Sequence, residues 1–81
     1  MRYEFDPEIQ ALYIYLSDAP VAFTKALDDG RIIDYDQDNQ PRGVELLNVD
    51  LGVRLDGLPK KDEVARVLRE CHIPLTAAPI E

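Results

Sequence analysis

The stretch Ala11-Leu12-Tyr13-Ile14-Tyr15-Leu16 decides the fold. Its β-branched and aromatic residues favour an extended chain, and side chains alternate across a strand, so Leu12, Ile14 and Leu16 share one face and Tyr13 and Tyr15 the other. A strand that is apolar on both faces belongs in the middle of a sheet. Ser17-Asp18-Ala19-Pro20 closes it with residues suited to a turn.

Strand signals continue on both sides of this segment. Residues 2–5 alternate polar and aromatic until Asp6-Pro7-Glu8, where proline removes an amide donor from any ladder. Val21 to Leu27 alternates again and ends at Asp28-Asp29-Gly30, a hairpin signal. Arg31 to Tyr35 and Gly43 to Val49 read as two more strands, joined by the polar stretch Asp36-Gln37-Asp38-Asn39-Gln40-Pro41-Arg42. Connections this short favour antiparallel pairing, because a parallel crossover needs about a dozen residues or more.

The period changes at Gly57-Leu58-Pro59. Val64, Val67, Leu68 and Cys71 recur at i, i+3, i+4, i+7, which places them on one face of an amphipathic helix. Pro59 suits a first helical turn, Asp62 and Glu63 complement the helix dipole, and Asp62 with Arg66 and Arg66 with Glu70 are spaced for ion pairs. The sequence therefore predicts one α+β domain over residues 1–81. An antiparallel β-meander of four to five strands spans residues 2–49, one C-terminal helix spans 59–72, and residues 73–81 form a loose tail.

Composition narrows the partners. Sixteen acids against nine Lys and Arg give a net charge of −7, and twelve of those acids but only five of the bases lie in residues 1–58. Such a surface repels phosphate backbones, so nucleic acid is not an expected partner. No apolar run approaches the roughly 18 residues of a membrane span, and no membrane partner is expected. One cysteine leaves no internal disulfide, and the N-terminal residues lack a signal-peptide pattern, which makes the cytoplasm the default compartment.

One helix covers one face of a sheet. The other face keeps Tyr13 and Tyr15, more apolar than a solvated sheet face usually is. Either a homodimer or another protein partner covers them, or sheet twist and the tail hide them within the monomer.

The acidic run Asp34-x-Asp36-x-Asp38-Asn39-x-x-x-x-x-Glu45 has oxygen ligands at positions 1, 3, 5 and 12 of an EF-hand-like loop. Asn39 stands where that loop needs glycine, however, and the flanks read as strands rather than helices. On an alternating strand Asp34, Asp36 and Asp38 share one face as a solvated, self-repelling edge. Adjacent Cys71 and His72 point about 100° apart on a helix. Cys71 therefore reads as a structural thiol on the apolar stripe and His72 as an exposed group at the helix end. Asp6 reads as a turn cap, and the four glycines, Gly43 included, as scattered turn residues. No cofactor is expected. The resulting expectation is a non-enzymatic protein-interaction module, self-associating or binding a basic partner through Tyr13, Tyr15, Asp34, Asp36 and Asp38. The alternative is a calcium site built from Asp34, Asp36, Asp38 and Glu45.

The strings Phe5-Asp6-Pro7-Glu8-Ile9-Gln10-Ala11-Leu12-Tyr13-Ile14, Leu27-Asp28-Asp29-Gly30-Arg31-Ile32-Ile33-Asp34-Tyr35-Asp36 and Gly43-Val44-Glu45-Leu46-Leu47 resemble a family of small bacterial and archaeal domains of unknown function. Members of that family open with a Tyr-Asp-Pro-Glu-x-Asp-Ala-Leu-Tyr-Ile type motif. The resemblance covers roughly residues 3 to 50. It implies a β-rich domain without established enzyme activity, and a neutralising role beside toxin-like partners by analogy. This chain departs from the pattern at Gln10, where Asp is common, at Asn39, where Gly usually makes the turn, and in the helical extension after Gly57.

Overall fold

Leu12 and Ile14 are fully buried while Tyr13 and Tyr15 stay half-buried, so the two faces of the central strand separate as their alternation predicts. In the computed structural model, which describes residues 2–76, the strands are β1 (Tyr3–Asp6), β2 (Ala11–Tyr15), β3 (Phe23–Asp28), β4 (Arg31–Tyr35) and β5 (Pro41–Leu46). A short 3-10 turn (Val49–Leu51) and one helix, α1 (Lys61–Glu70), follow. The five strands form one antiparallel sheet in the order β1-β2-β5-β4-β3, and the expected α+β architecture holds.

Strands β3, β4 and β5 form a meander and β1–β2 a hairpin, and on its other side β2 pairs with β5 rather than with β3, the next strand in sequence. Burial explains the choice. Leu12 lies opposite Leu46 and Ile14 opposite Val44, and all four are buried. Strand β3 is exposed along its whole length and offers β2 no such partners. Because a one-residue slip would move every side chain to the wrong face, these apolar pairs also set the register.

Helix α1 lies on the Leu12 face. Val64, Val67 and Leu68 join Leu12, Ile14 and Leu46 in one buried cluster, completed by Val49, Val53, Leu58 and Ile73 from the connecting segments. Each such burial contributes about 1.5–3 kcal/mol relative to exposure. Arg31, on the core side of β4, is buried yet paired. Its Nε donates to Asp28 Oδ2 at 3.0 Å and its Nη1 donates to the carbonyls of Arg54 and Asp56, which fastens the loop before the helix to the β3–β4 turn. Burial raises the Asp28 carboxyl pKa, but the Gly30 amide and the Arg31 and Arg54 guanidinia outweigh it and hold the group below its ordinary value.

The helix ends differ from expectation in three respects. Pro59 stands before the helix, and Lys60, in the left-handed region at φ 50, starts it without a side-chain cap. Asp62, Arg66 and Glu70 are exposed and form no ion pair; among the described residues the pairs are those of Arg31 and Arg54 with Asp28 and Asp56. Solvated helix pairs gain too little to hold one geometry. The segment after the helix, expected to be loose, is docked in its first residues. Ile73 is buried and the backbone of Val53 bonds to Pro74 and Thr76; the rest of the expected tail, residues 77–81, lies outside the described residues.

The helix C-terminus is a Schellman turn. The amide of Ile73 donates to the Leu68 carbonyl and that of His72 to the Arg69 carbonyl, with His72 left-handed at φ 58. Glycine is the usual residue at this position because a side chain there costs about 1–2 kcal/mol. His72→Gly should therefore stabilise the fold by about 1 kcal/mol, read as a higher denaturation midpoint at unchanged slope. A lower midpoint would show that the imidazole offsets its own strain.

Candidate functional site

The sheet face opposite α1 is built from every second residue of each strand. Tyr13 and Tyr15 come from β2, Gly43 and Glu45 from β5, Asp34 from β4 and Thr24 from β3, and the registers bring them side by side. The Tyr13 ring lies across the strand between it and Asp34. A Cβ built on Gly43 would sit 2.1 Å from the Tyr13 hydroxyl, so only glycine leaves the ring its path.

Along that path the Tyr13 hydroxyl donates to Asp34 Oδ2 at 2.6 Å, and the Thr24 hydroxyl donates to Asp34 Oδ1 at 2.6 Å. Arg42 Nη1 donates to the Tyr13 hydroxyl at 2.9 Å, while Arg42 Nε donates to the Ala19 carbonyl at 2.8 Å and ties down the β2–β3 connection. Tyr13 and Tyr15 meet edge-on at 4.8 Å between centroids. Arg2 stands 3.8 Å over the Tyr15 ring, and Arg42 lies 5.2 Å from it, both in cation–π range. The tyrosines are thus covered in part by two arginines from their own chain, and neither the tail nor the helix reaches this face in the described residues.

Burial, followed by the hydrogen bond to Asp34, pushes the Tyr13 phenol up to about 12, with Arg42 opposing. Tyr3 lies on the core side of the sheet, where the Cys71 thiol and then the Glu70 carboxylate raise its pKa.

The acidic run does not act as one group. Strand β4 ends at Tyr35, where β5 bulges at Arg42, so Asp36 and Asp38 belong to the following loop and not to the strand that holds Asp34. Asp36 Oδ1 instead accepts the amides of Asp38 at 2.8 Å and Gln40 at 3.0 Å, closing the β4–β5 loop, and Asn39 takes the left-handed conformation at φ 62 that the turn requires. Glu45 lies on the tyrosine face opposite Tyr13. The structure therefore does not bring Asp34, Asp36, Asp38 and Glu45 together, and no three His, Cys, Asp or Glu side chains converge among the described residues. Asp6 caps its turn by accepting the Glu8 amide at 3.0 Å. Cys71 packs against the core, and His72 sits exposed at the Schellman turn.

Arg2, Thr24, Arg42 and Gly43 belong to this face and do not stand out in the sequence. Only Gly43 carries a usable signal, since a glycine inside a strand pattern marks close approach; it lies within β5 and not in a turn.

Residues 2–49 match the family described as "Protein of unknown function (DUF2283)". The chain belongs to this family. The family region contains all five strands and the whole tyrosine face, while α1 lies beyond it. No curated protein and no solved structure matches the chain.

Two outcomes test the network. Because the Tyr13 proton is held more tightly in the folded state, its contribution to stability is complete below pH 10 and is lost as pH rises through about 12. A tyrosinate absorbance titration should show, apart from the raised Tyr3 phenol, a step at about 12 that disappears in Tyr13→Phe; retention of the step at about 12 in that variant would assign it elsewhere. Gly43→Ala should displace the ring, cost about 1–3 kcal/mol by overpacking and return the Tyr13 phenol toward its ordinary range. An unchanged titration would show that the ring does not depend on this glycine.

Proposed function

We propose that this protein is a non-enzymatic interaction module that offers its sheet to a protein partner. The observation that carries this reading is the one-sided cover of the sheet: α1 packs on the Leu12 face, and the opposite face stays open around Tyr13 and Tyr15. Sheet faces of this kind bury readily against another protein when aromatic groups lie at their centre.

Charge supports a basic partner at one end of that face. Glu4, Asp6 and Glu45 surround Tyr13 in a shallow groove of about 380 Å³, and Asp34 lies beyond the ring. Arg2 and Arg42 stand toward Tyr15, so the acidic end of the face is the one around Tyr13. The non-enzymatic reading draws support from side chains already committed to structure: Asp34 to two hydroxyls, Asp36 to its loop and Cys71 to the core.

Glu4→Lys combined with Glu45→Lys should abolish salt-sensitive capture of a basic protein from host extracts while leaving the fold intact, and the ammonium groups beside Tyr13 should lower its phenol pKa from about 12. Equal recovery by the native and reversed proteins, at low and high salt, would sink the basic-partner reading.

A further inference from the structure

The two edges of the sheet are unlike each other. Strand β1 is short and carries exposed Glu4 and Asp6, the charged and curtailed edge by which sheet proteins usually avoid sticking. Strand β3 is six residues long and exposed throughout. Val21, Phe23 and Leu27, exposed by 45, 41 and 42%, place three large apolar side chains on or beside that single edge, and Lys25 is the one charge among residues 21–27. A segment of high β propensity, low charge and no interior proline is a pairing template.

Its backbone faces outward in a definite pattern. The Leu47 amide donates to the Gly30 carbonyl at 2.9 Å, so in the β4–β5 register Ile32 and Asp34 turn their polar groups toward β5 and Ile33 and Tyr35 turn theirs toward β3. Their partners Lys25 and Phe23 therefore bond inward, and Thr24 and Ala26 present free N–H and C=O groups to the outside.

We propose that a second copy of this chain pairs with the free edge of β3, antiparallel and centred on Thr24, which joins two five-stranded sheets into one. The proposal deepens the interaction-module reading and rests on it. Centres at Phe23, Thr24, Lys25 and Ala26 all preserve the faces under a two-fold axis normal to the sheet. A Phe23 centre sets the rest of β3 against residues 18–22, which lie outside the strand. A Lys25 centre sets two lysines opposite each other, and an Ala26 centre drives Phe23 against Asp29 and runs into the bulge between Ala26 and Asp28. With the axis at Thr24, Phe23 of each copy lies opposite Lys25 of the other, Thr24 opposes Thr24 and Val21 falls beside Leu27. No like charges meet, and the apolar lysine stem and ammonium lie against an aromatic ring that is already held by stacking on Tyr35 at 5.0 Å. The outward N–H and C=O groups of Thr24 in the two copies then form the hydrogen-bonded pair at the axis.

Sedimentation equilibrium of the full chain over a concentration series tests this. The native protein should show a monomer–dimer equilibrium. Phe23→Lys sets lysine against Lys25 twice and should weaken it about tenfold or more, and adding Lys25→Glu to that variant should restore it. Thr24→Cys in a Cys71→Ser background should form a symmetric disulfide under mild oxidation, because hydrogen-bonded residues on paired strands lie about 5.5 Å apart at Cα, within disulfide range. That cross-link decides the matter should the charge variants not fold. A native protein that stays monomeric, a dimer indifferent to Phe23→Lys, or no cross-link would each overturn the edge pairing. Those outcomes leave the charge-reversal capture experiment untouched, and loss of capture with an intact dimer would remove the basic-partner reading alone.

Discussion

The pairing of β2 with β5 is the constraint on which the rest of the molecule depends. It places Leu12 against Leu46 and Ile14 against Val44, and so creates the buried surface on which α1 rests. The same register sets Tyr15 opposite Gly43 and Tyr13 opposite Glu45, and brings Asp34 within reach one strand further on. Core and tyrosine face are two consequences of one alignment. A slip of one residue would bury the phenols beneath the helix and expose Leu12 and Ile14.

The face opposite the helix is neither a plain apolar patch nor a solvated surface. Its rings are apolar, but each polar atom at its centre has a partner: the Tyr13 hydroxyl bridges Arg42 and Asp34, and Asp34 also receives Thr24. Such a network ties four strands' worth of side chains into a fixed relief, and a partner would meet a surface that needs little ordering on binding. Gly43 is the element that permits this. Replacing its hydrogen by any side chain would push the Tyr13 ring out of contact with Asp34.

Much of this organisation was legible in the sequence. Alternation in residues 11–16 separated Leu12 and Ile14 from Tyr13 and Tyr15, and the helical stripe of Val64, Val67 and Leu68 packs as its spacing requires. Strand order was not legible, because local alternation says which residues face inward but not which strand lies alongside. The pairing of β2 with β5 depends on β3 being too exposed to serve as a neighbour, a property of the assembled sheet. The grouping of Asp34, Asp36 and Asp38 failed for a related reason. A period of two holds only while the strand lasts; β4 ends at Tyr35, and Asp36 gives its carboxylate to the amides of its own loop. Arg2 and Arg42 lay outside the motifs because long, flexible cations reach tyrosines that sequence spacing cannot relate to them.

Net charge bears on how this chain could meet a copy of itself. A protein at −7 repels its own kind in bulk, but the acids are not spread evenly. Glu4 and Asp6 lie on β1, at the far edge of the sheet from β3, Glu45 lies on the central strand β5, and Asp36 and Asp38 in the β4–β5 loop stand beside Val21 and Ala22. At physiological ionic strength exposed charges are screened within about 8 Å, so acids across the sheet contribute little at the β3 edge. Asp28, the carboxylate in β3 itself, is paired with Arg31 and Arg54. Along Phe23–Leu27 the edge carries backbone, apolar side chains and Lys25, and the nearest unpaired acids, Asp36 and Asp38, stand beside Val21 and Ala22 at its start. The two edges therefore differ in kind: β1 carries exposed acids along a short strand, and β3 presents a longer strand whose one free charge is a lysine set to meet an aromatic ring of the other copy.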